Sequence, residues 1–138
     1  EGGESLPEER EYIVGALTGV ELDRWGRPGD RTLDFFDAKG ALEAVADDLG
    51  ITVEYVAGDE FALLPGRVAH LEVDGERIGV LSEVHPDTLA QFGIEQSVVL
   101  FELDIASLLS HTLKRRAVTS VSDTRPSSKI SHLSSTRA

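Results

Sequence analysis

The chain has no cysteine, which excludes disulfides and thiolate metal sites. It also has no methionine, even at position 1, which suggests a processed chain or a fragment of a longer one. Aromatic residues make up only 6%, with one tryptophan, Trp25. No apolar run approaches the roughly 20 residues that span a bilayer as a helix, so no membrane partner is expected. The first residues, Glu1-Gly2-Gly3-Glu4, lack the basic start and apolar stretch of a signal peptide. A cytoplasmic address is the simplest expectation. There is no Gly-x-x-x-x-Gly-Lys-Ser/Thr loop for a nucleotide, and Ser82 lacks the Gly-x-Ser-x-Gly elbow of a serine nucleophile.

What is present is ordinary for a globular domain: 138 residues, 41% hydrophobic and 28% charged. The net charge of −12 is unevenly spread. Residues 110–138 carry six of the 13 Lys/Arg and one acid, leaving seven basic and 24 acidic residues in 1–109: +5 against −17. The acidic body repels phosphate backbones, and such asymmetry marks a tail or a boundary.

Hydrophobic periodicity organises residues 1–109. Tyr12 to Gly19 is a short, largely apolar run that reads as a buried strand. Residues 20–33, with Trp25, Gly26, Pro28 and Gly29, read as a loop. Asp34 to Leu49 is the strongest helix, with an apolar stripe at Phe35, Ala38, Leu42, Val45 and Leu49. Asp34 is placed to cap its start, with Asp37 near the positive dipole end, and Gly50 to end it. Gly40, inside the helix, implies a close neighbour that would offset its helix cost of about 1 kcal/mol.

The period then switches to two. Strands are expected over 51–56, 68–73 and 77–84, with Asp74-Gly75 as a two-residue hairpin turn between the second and third. Residues 57–66 read as a loop. Pro86 to Phe92 suits a short helix, followed by Gly93. Val98 to Leu103 is a last strand, and Ile105 to Leu109 a helical turn. This order predicts an α+β fold around a mostly antiparallel sheet.

Several side chains invite sharper readings. Glu83 and His85 share a strand face and, with His70, could form a metal site; a hydrogen-bonded pair fixing the turn into Pro86 is the preferred account. Asp34 and Asp37 could be paired acids, but capping explains both. Asp47-Asp48 reads as a solvated helix face. Trp25 either anchors a partner or covers the core edge. Lys114-Arg115-Arg116 could touch RNA phosphates or be a solvated run.

Five phrases line up in order. They are Leu6-Pro7-Glu8-Glu9-Arg10, Asp34-Phe35-Phe36-Asp37-Ala38-Lys39-Gly40, Leu64-Pro65-Gly66-Arg67, Ile78-Gly79-Val80-Leu81-Ser82-Glu83-Val84-His85-Pro86 and Phe101-Glu102-Leu103-Asp104. Together they resemble the β subunit of bacterial phenylalanine–tRNA ligase over roughly residues 5–109. One departure stands out: the family usually has histidine where this chain has Leu64. The resemblance implies a class II aminoacyl-tRNA synthetase-like partial domain. In this segment no residue would be catalytic and no cofactor or metal would bind. ATP and Mg2+ belong to the holoenzyme, the α subunit is the partner in an (αβ)2 heterotetramer, and tRNA is contacted through other parts. Asp34, Phe35, Asp37, Lys39, Gly40, Pro65, Gly66, Arg67, Gly79, Glu83, His85 and Pro86 are the motif positions, and Trp25 a candidate interface residue. Alternatives are a free-standing acidic protein-binding module and a small metal-dependent hydrolase using His70, Glu83 and His85.

From about Ser110 the chain becomes basic and serine-rich, with no apolar period in 117–138, and reads as a disordered tail. The family continues downstream with a phrase like Tyr-Pro-Ala-Val-x-x-Asp-Ile-Ala-Leu. Codon degeneracy over Asp123 to Leu133 allows that phrase in the shifted reading frame. A frameshift product beginning near 110–117 is therefore the competing reading of residues 110–138.

Overall fold

The computed structural model describes Gly3 and residues 6–124 of the chain. Its strands are Tyr12–Thr18 (β1), Val20–Leu22 (β2), Pro28–Thr32 (β3), Glu54–Ala57 (β4), Leu63–Val73 (β5), Glu76–Val84 (β6) and Val98–Asp104 (β7). Its helices are Phe35–Leu49 (α1), Pro86–Gln91 (α2) and Ile105–Thr124 (α3). Five strands form one antiparallel sheet in the order β1-β7-β6-β5-β4, while β2 and β3 make a separate two-stranded sheet. The expected α+β class with a mostly antiparallel sheet is what the chain adopts.

The helix α1 follows from local chemistry. Asp34 sits in extended backbone and its carboxylate accepts from the amides of Phe36 and Asp37, while Asp37 accepts from the Asp34 amide. This reciprocal box satisfies amides that a helix start otherwise leaves unpaired. Gly50 closes the helix at φ 71° in the left-handed region that glycine enters without a Cβ clash. The buried side is Phe35, Ala38, Leu42 and Ala46. Val45, expected in the stripe, is exposed, because the seam follows spacings of three, four and four onto Ala46. Gly40 has no neighbour close to where a Cβ would stand, contrary to expectation, and nothing in the structure explains it.

The core lies between one face of the sheet and the helices α1 and α3. Leu71, Ile78, Leu81 and Val99 are almost completely buried there, with Leu103 beside them and Leu108 of α3 packed on the same cluster. The turn between β5 and β6 is the expected Asp74-Gly75, both residues at positive φ, the signature of a type I′ hairpin.

Four segments depart from the sequence reading. β1 is a strand, but most of it is exposed. It pairs only with β7 at the sheet edge, and Tyr12 and Val14 point away from the core cluster. Residues 20–33 are not a simple loop; they form the β2–β3 hairpin. β5 starts inside the expected 57–66 loop, with Pro65 and Gly66 in an irregularity between Leu63 and Val68. Proline lacks the ladder amide, and Gly66 sits at φ 79°, so the break falls there. Finally, α3 runs through Ser110 to Thr124, so the change in sequence character at Ser110 falls inside a helix. Residues 125–138 of the expected tail lie outside the described residues.

A tertiary clamp explains why α3 continues. The ring of His111 is buried, and its Nε2–H donates to Glu76 Oε2 at 3.0 Å. Ser107 Oγ donates to the other carboxylate oxygen at 3.1 Å, and Thr112 Oγ donates to the Leu108 carbonyl. The His111 and Ser107 bonds tie the helix to the first residue of β6, which no local sequence pattern reports. Substituting His111→Ala is expected to strip protection from the α3 amides in hydrogen exchange while α1 amides keep theirs. Equal protection of α3 in the variant would show that the helix is held by its apolar contacts alone.

Candidate interaction site

The motif residues gather mainly around the start of α1. Arg31, at the end of β3, donates from Nη1 and Nη2 to the two oxygens of Asp37 at 2.9 and 2.8 Å. Its Nε donates to Glu21 of β2 at 2.9 Å. One guanidinium thus joins both strands of the small hairpin to the helix cap, in the fork geometry that suits carboxylates. The Arg31 bonds, followed by the Asp34 amide, hold the Asp37 carboxyl down at about 2.

That shift predicts an acid limit. An unfolded aspartate titrates near about 4. The folded group titrates lower, so its stabilising effect is complete above that range and is lost as pH falls through about 2. Helical circular dichroism is expected to drop over this interval. In Asp37→Asn the acid-dependent part contributed by this group should vanish; an unchanged acid transition would mean other carboxylates govern it.

A second chain of contacts leads from α1 to the sheet. The Arg67 guanidinium lies 5.1 Å from the centroid of the half-exposed Phe36 ring. Its Nε is 3.7 Å from Glu83, and Ser97 Oγ donates to Glu83 at 2.9 Å. Phe35 itself is in the core. Lys39 pairs with Glu43 at 3.5 Å and sits 4.8 Å over the Tyr55 ring. Burial, with the Glu43 charge adding to it, pushes the Tyr55 phenol up to about 12. Pro65 and Gly66 are exposed at the β5 irregularity.

The other motif positions stand apart. Gly79 of β6 lies against the Glu102 carbonyl of β7. His85 caps α2: its Nδ1 accepts from the Asp87 amide at 3.1 Å, and Pro86 takes the first helical turn. His70 faces Glu60, with Nδ1 3.7 Å from its carboxylate. His70, Glu83 and His85 are therefore occupied with three different neighbours and are not brought together. Among the described residues no group of three His, Asp or Glu is arranged to hold a metal ion. Ser82 is buried, which removes it from any exposed nucleophile role. Asp47 and Asp48 are on the solvated helix face, as expected. Lys114 and Arg115 line a cleft of about 280 Å³ with His111, Asp74 and Gly50.

Trp25 is 70% exposed at the tip of the β2–β3 hairpin, so it does not cover the core edge. The tip is held by Asp23, whose carboxylate accepts from the amides of Trp25 and Arg27 and from Arg27 Nε at 2.8–2.9 Å. The Arg27 amide and then the Trp25 amide keep that carboxyl below its usual range. Two members of the cluster, Arg31 and Ser97, were not indicated by sequence reasoning. Each bonds across elements, and neither falls on a periodic or capping position.

Elements and contacts together define an α+β module whose charged motif residues are committed to caps, clamps and inter-element ion pairs. A family model described as the phenylalanyl tRNA synthetase beta chain CLM domain matches residues 1–105. The chain belongs to that family. It is similar to the phenylalanine–tRNA ligase β subunit of Staphylococcus saprophyticus, at 40% identity over 79% of this chain and 14% of the relative. For the β subunit of Dehalococcoides mccartyi the values are 32%, 83% and 14%. For that of Streptococcus mutans they are 42%, 68% and 12%. The chain thus spans about one seventh of the length of the curated relatives it matches.

Proposed function

We propose that this chain is a non-catalytic structural and subunit-interface segment of phenylalanine–tRNA ligase. Its antiparallel sheet and flanking helices form part of a class II synthetase-like domain. It supports ATP-dependent attachment of phenylalanine to tRNA by an α/β holoenzyme in the cytoplasm. ATP and Mg2+ bind elsewhere in that holoenzyme, and tRNA is met through its other parts. The synthetase α subunit is its partner, in an (αβ)2 assembly. The family match over residues 1–105, nearly all of the acidic body, carries this reading. The engagement of Asp34, Asp37, Arg67, Glu83 and His85 in structural bonds supports it from the side of chemistry.

The test is to co-express the full β subunit containing this segment with its α subunit and follow assembly by size-exclusion chromatography with light scattering. A stoichiometric α/β complex is the expected result. A β chain that elutes as a stable species ignoring α would favour a free-standing acidic binding module instead.

The basic segment is read with the same chemistry. His111 and Thr112 are buried against the body. We propose that the residues from somewhere near 110–117 up to Ala138 are a frameshift product. Resequencing the encoding DNA should show Tyr-Pro-Ala-Val-x-x-Asp-Ile-Ala-Leu in the shifted frame. Sound codons with an early stop in that frame would instead establish a native basic tail.

A further inference from the structure

The sequence contains no asparagine, and only one of its aspartates, Asp74, is followed by glycine. That pair is the whole turn between β5 and β6, with both residues at positive φ. Both groups that could react across the pair are open. The Asp74 carboxylate is 87% exposed and accepts no hydrogen bond among the described residues. Asp23, Asp34, Asp37 and Asp104, by contrast, are each held by amides or arginines. His111 Nδ1 stands 3.6 Å from the Asp74 carboxylate and is itself without a hydrogen-bond partner. On the other side, no heavy atom comes within 4 Å of where a Gly75 Cβ would stand. The Gly75 amide donates to no group among the described residues. An amide nitrogen with no side chain beside it can be approached more closely than any other in a chain.

We infer that Asp74-Gly75 is a site of spontaneous isomerisation, at which Asp74 turns slowly into isoaspartate and loosens the seat of α3. The Gly75 amide nitrogen attacks Asp74 Cγ. A new C–N bond closes a five-membered succinimide, and one oxygen of the protonated carboxyl leaves as water with the amide hydrogen. Water then adds to the former main-chain carbonyl of Asp74 and breaks its bond to the Gly75 nitrogen. The chain now runs through Cβ and Cγ, and Cα carries a free carboxylate. One water leaves and one returns, and nothing is oxidised or reduced. The ring closes while the turn is open, and exposed hairpin tips open locally without unfolding the sheet. The product carries one more main-chain carbon between strands joined by only two residues, so it cannot resume the type I′ turn. Glu76 follows that turn directly, pairs with Val73, and holds His111 and Ser107 of α3. Displacing Glu76 therefore slackens α3 while the sheet beyond the turn keeps its pairing.

The test is to hold the chain for weeks near neutral pH at body temperature and map its peptides. Isoaspartate is read as resistance to an endoproteinase that cuts before aspartate, and as methyl transfer by an isoaspartate methyltransferase. It should accumulate at position 74 while the other aspartates stay intact. Asp74→Glu, which would need a six-membered ring, should form none. Asp74→Asn keeps a pair suited to the turn and should convert faster, releasing ammonia. In the separated isomerised fraction, α3 amides should exchange about tenfold faster than in fresh protein, the scale of one lost charge-assisted hydrogen bond, while α1 amides are unchanged. Three results overturn the inference: no isoaspartate at 74 in the wild type, isoaspartate spread evenly over the aspartates, or unchanged α3 exchange in the isomerised fraction.

Discussion

Truncating Leu81 to alanine is expected to cost about 3–4 kcal/mol, a large fraction of the domain's stability. Leu81 is fully buried in the middle of β6, between Ala69 of β5 and Phe101 of β7 in the register. It belongs to the cluster that also holds Leu42 of α1. Removing three carbons there loses transfer energy and leaves a cavity that two flanking strands hold open. A domain of this size has about 5–15 kcal/mol in total, so the loss is a large fraction of the whole. Urea unfolding of the variant beside the wild type measures it through the shift in midpoint at constant slope. A loss below about 1 kcal/mol would mean that the sheet collapses around the gap and that this face is less tightly packed than the burial indicates.

The second large effect is expected at Gly79. A Cβ at this position would run first into the Glu102 carbonyl oxygen, and then meet the Leu103 side chain and Cα, on the neighbouring strand. The nearest obstruction is main chain, which cannot swing aside as a side-chain tip can. Gly79→Val should therefore break the β6–β7 pairing at Gly79↔Leu103, the seam joining β7 and β1 to the rest of the sheet. The predicted outcome is loss of soluble protein or loss of exchange protection in β7 with β5 still protected. Gly79→Ala should be milder and remain soluble enough to melt, at a lower temperature than wild type. Normal stability in both variants would show that the two strands can separate locally without cost, which the continuous register argues against.

Local features were legible in the sequence. Asp34, Asp37 and Gly50 marked α1 because capping involves residues only a few positions apart, and the bonds form within the same turn. Asp74-Gly75 was legible because a type I′ turn needs two positive φ values in succession. His85 and Pro86 marked the turn into α2, although the partner of the His85 ring is the Asp87 amide and not Glu83. The family resemblance followed from the order of phrases spread along the body, and the match over residues 1–105 agrees with it.

Other features depended on partners far along the chain. Tyr12 to Gly19 has the composition of a buried strand, but burial is set by what covers it, and β1 ended at an edge. Arg31 lay in a segment of glycine and proline that signals a loop; only folding brings Glu21 and Asp37 to opposite sides of its guanidinium. His111 and Glu76 are 35 residues apart, so the extension of α3 past Leu109 had no local sign. Helix caps, turn types and strand alternation were thus determined by the sequence itself, since short-range sterics and hydrogen bonds decide them. Which strand lies at the edge, which faces stay open and which ion pairs clamp α1 and α3 were decided by the tertiary structure alone. Those outcomes depend on sheet order and on contacts between residues that the linear chain keeps apart.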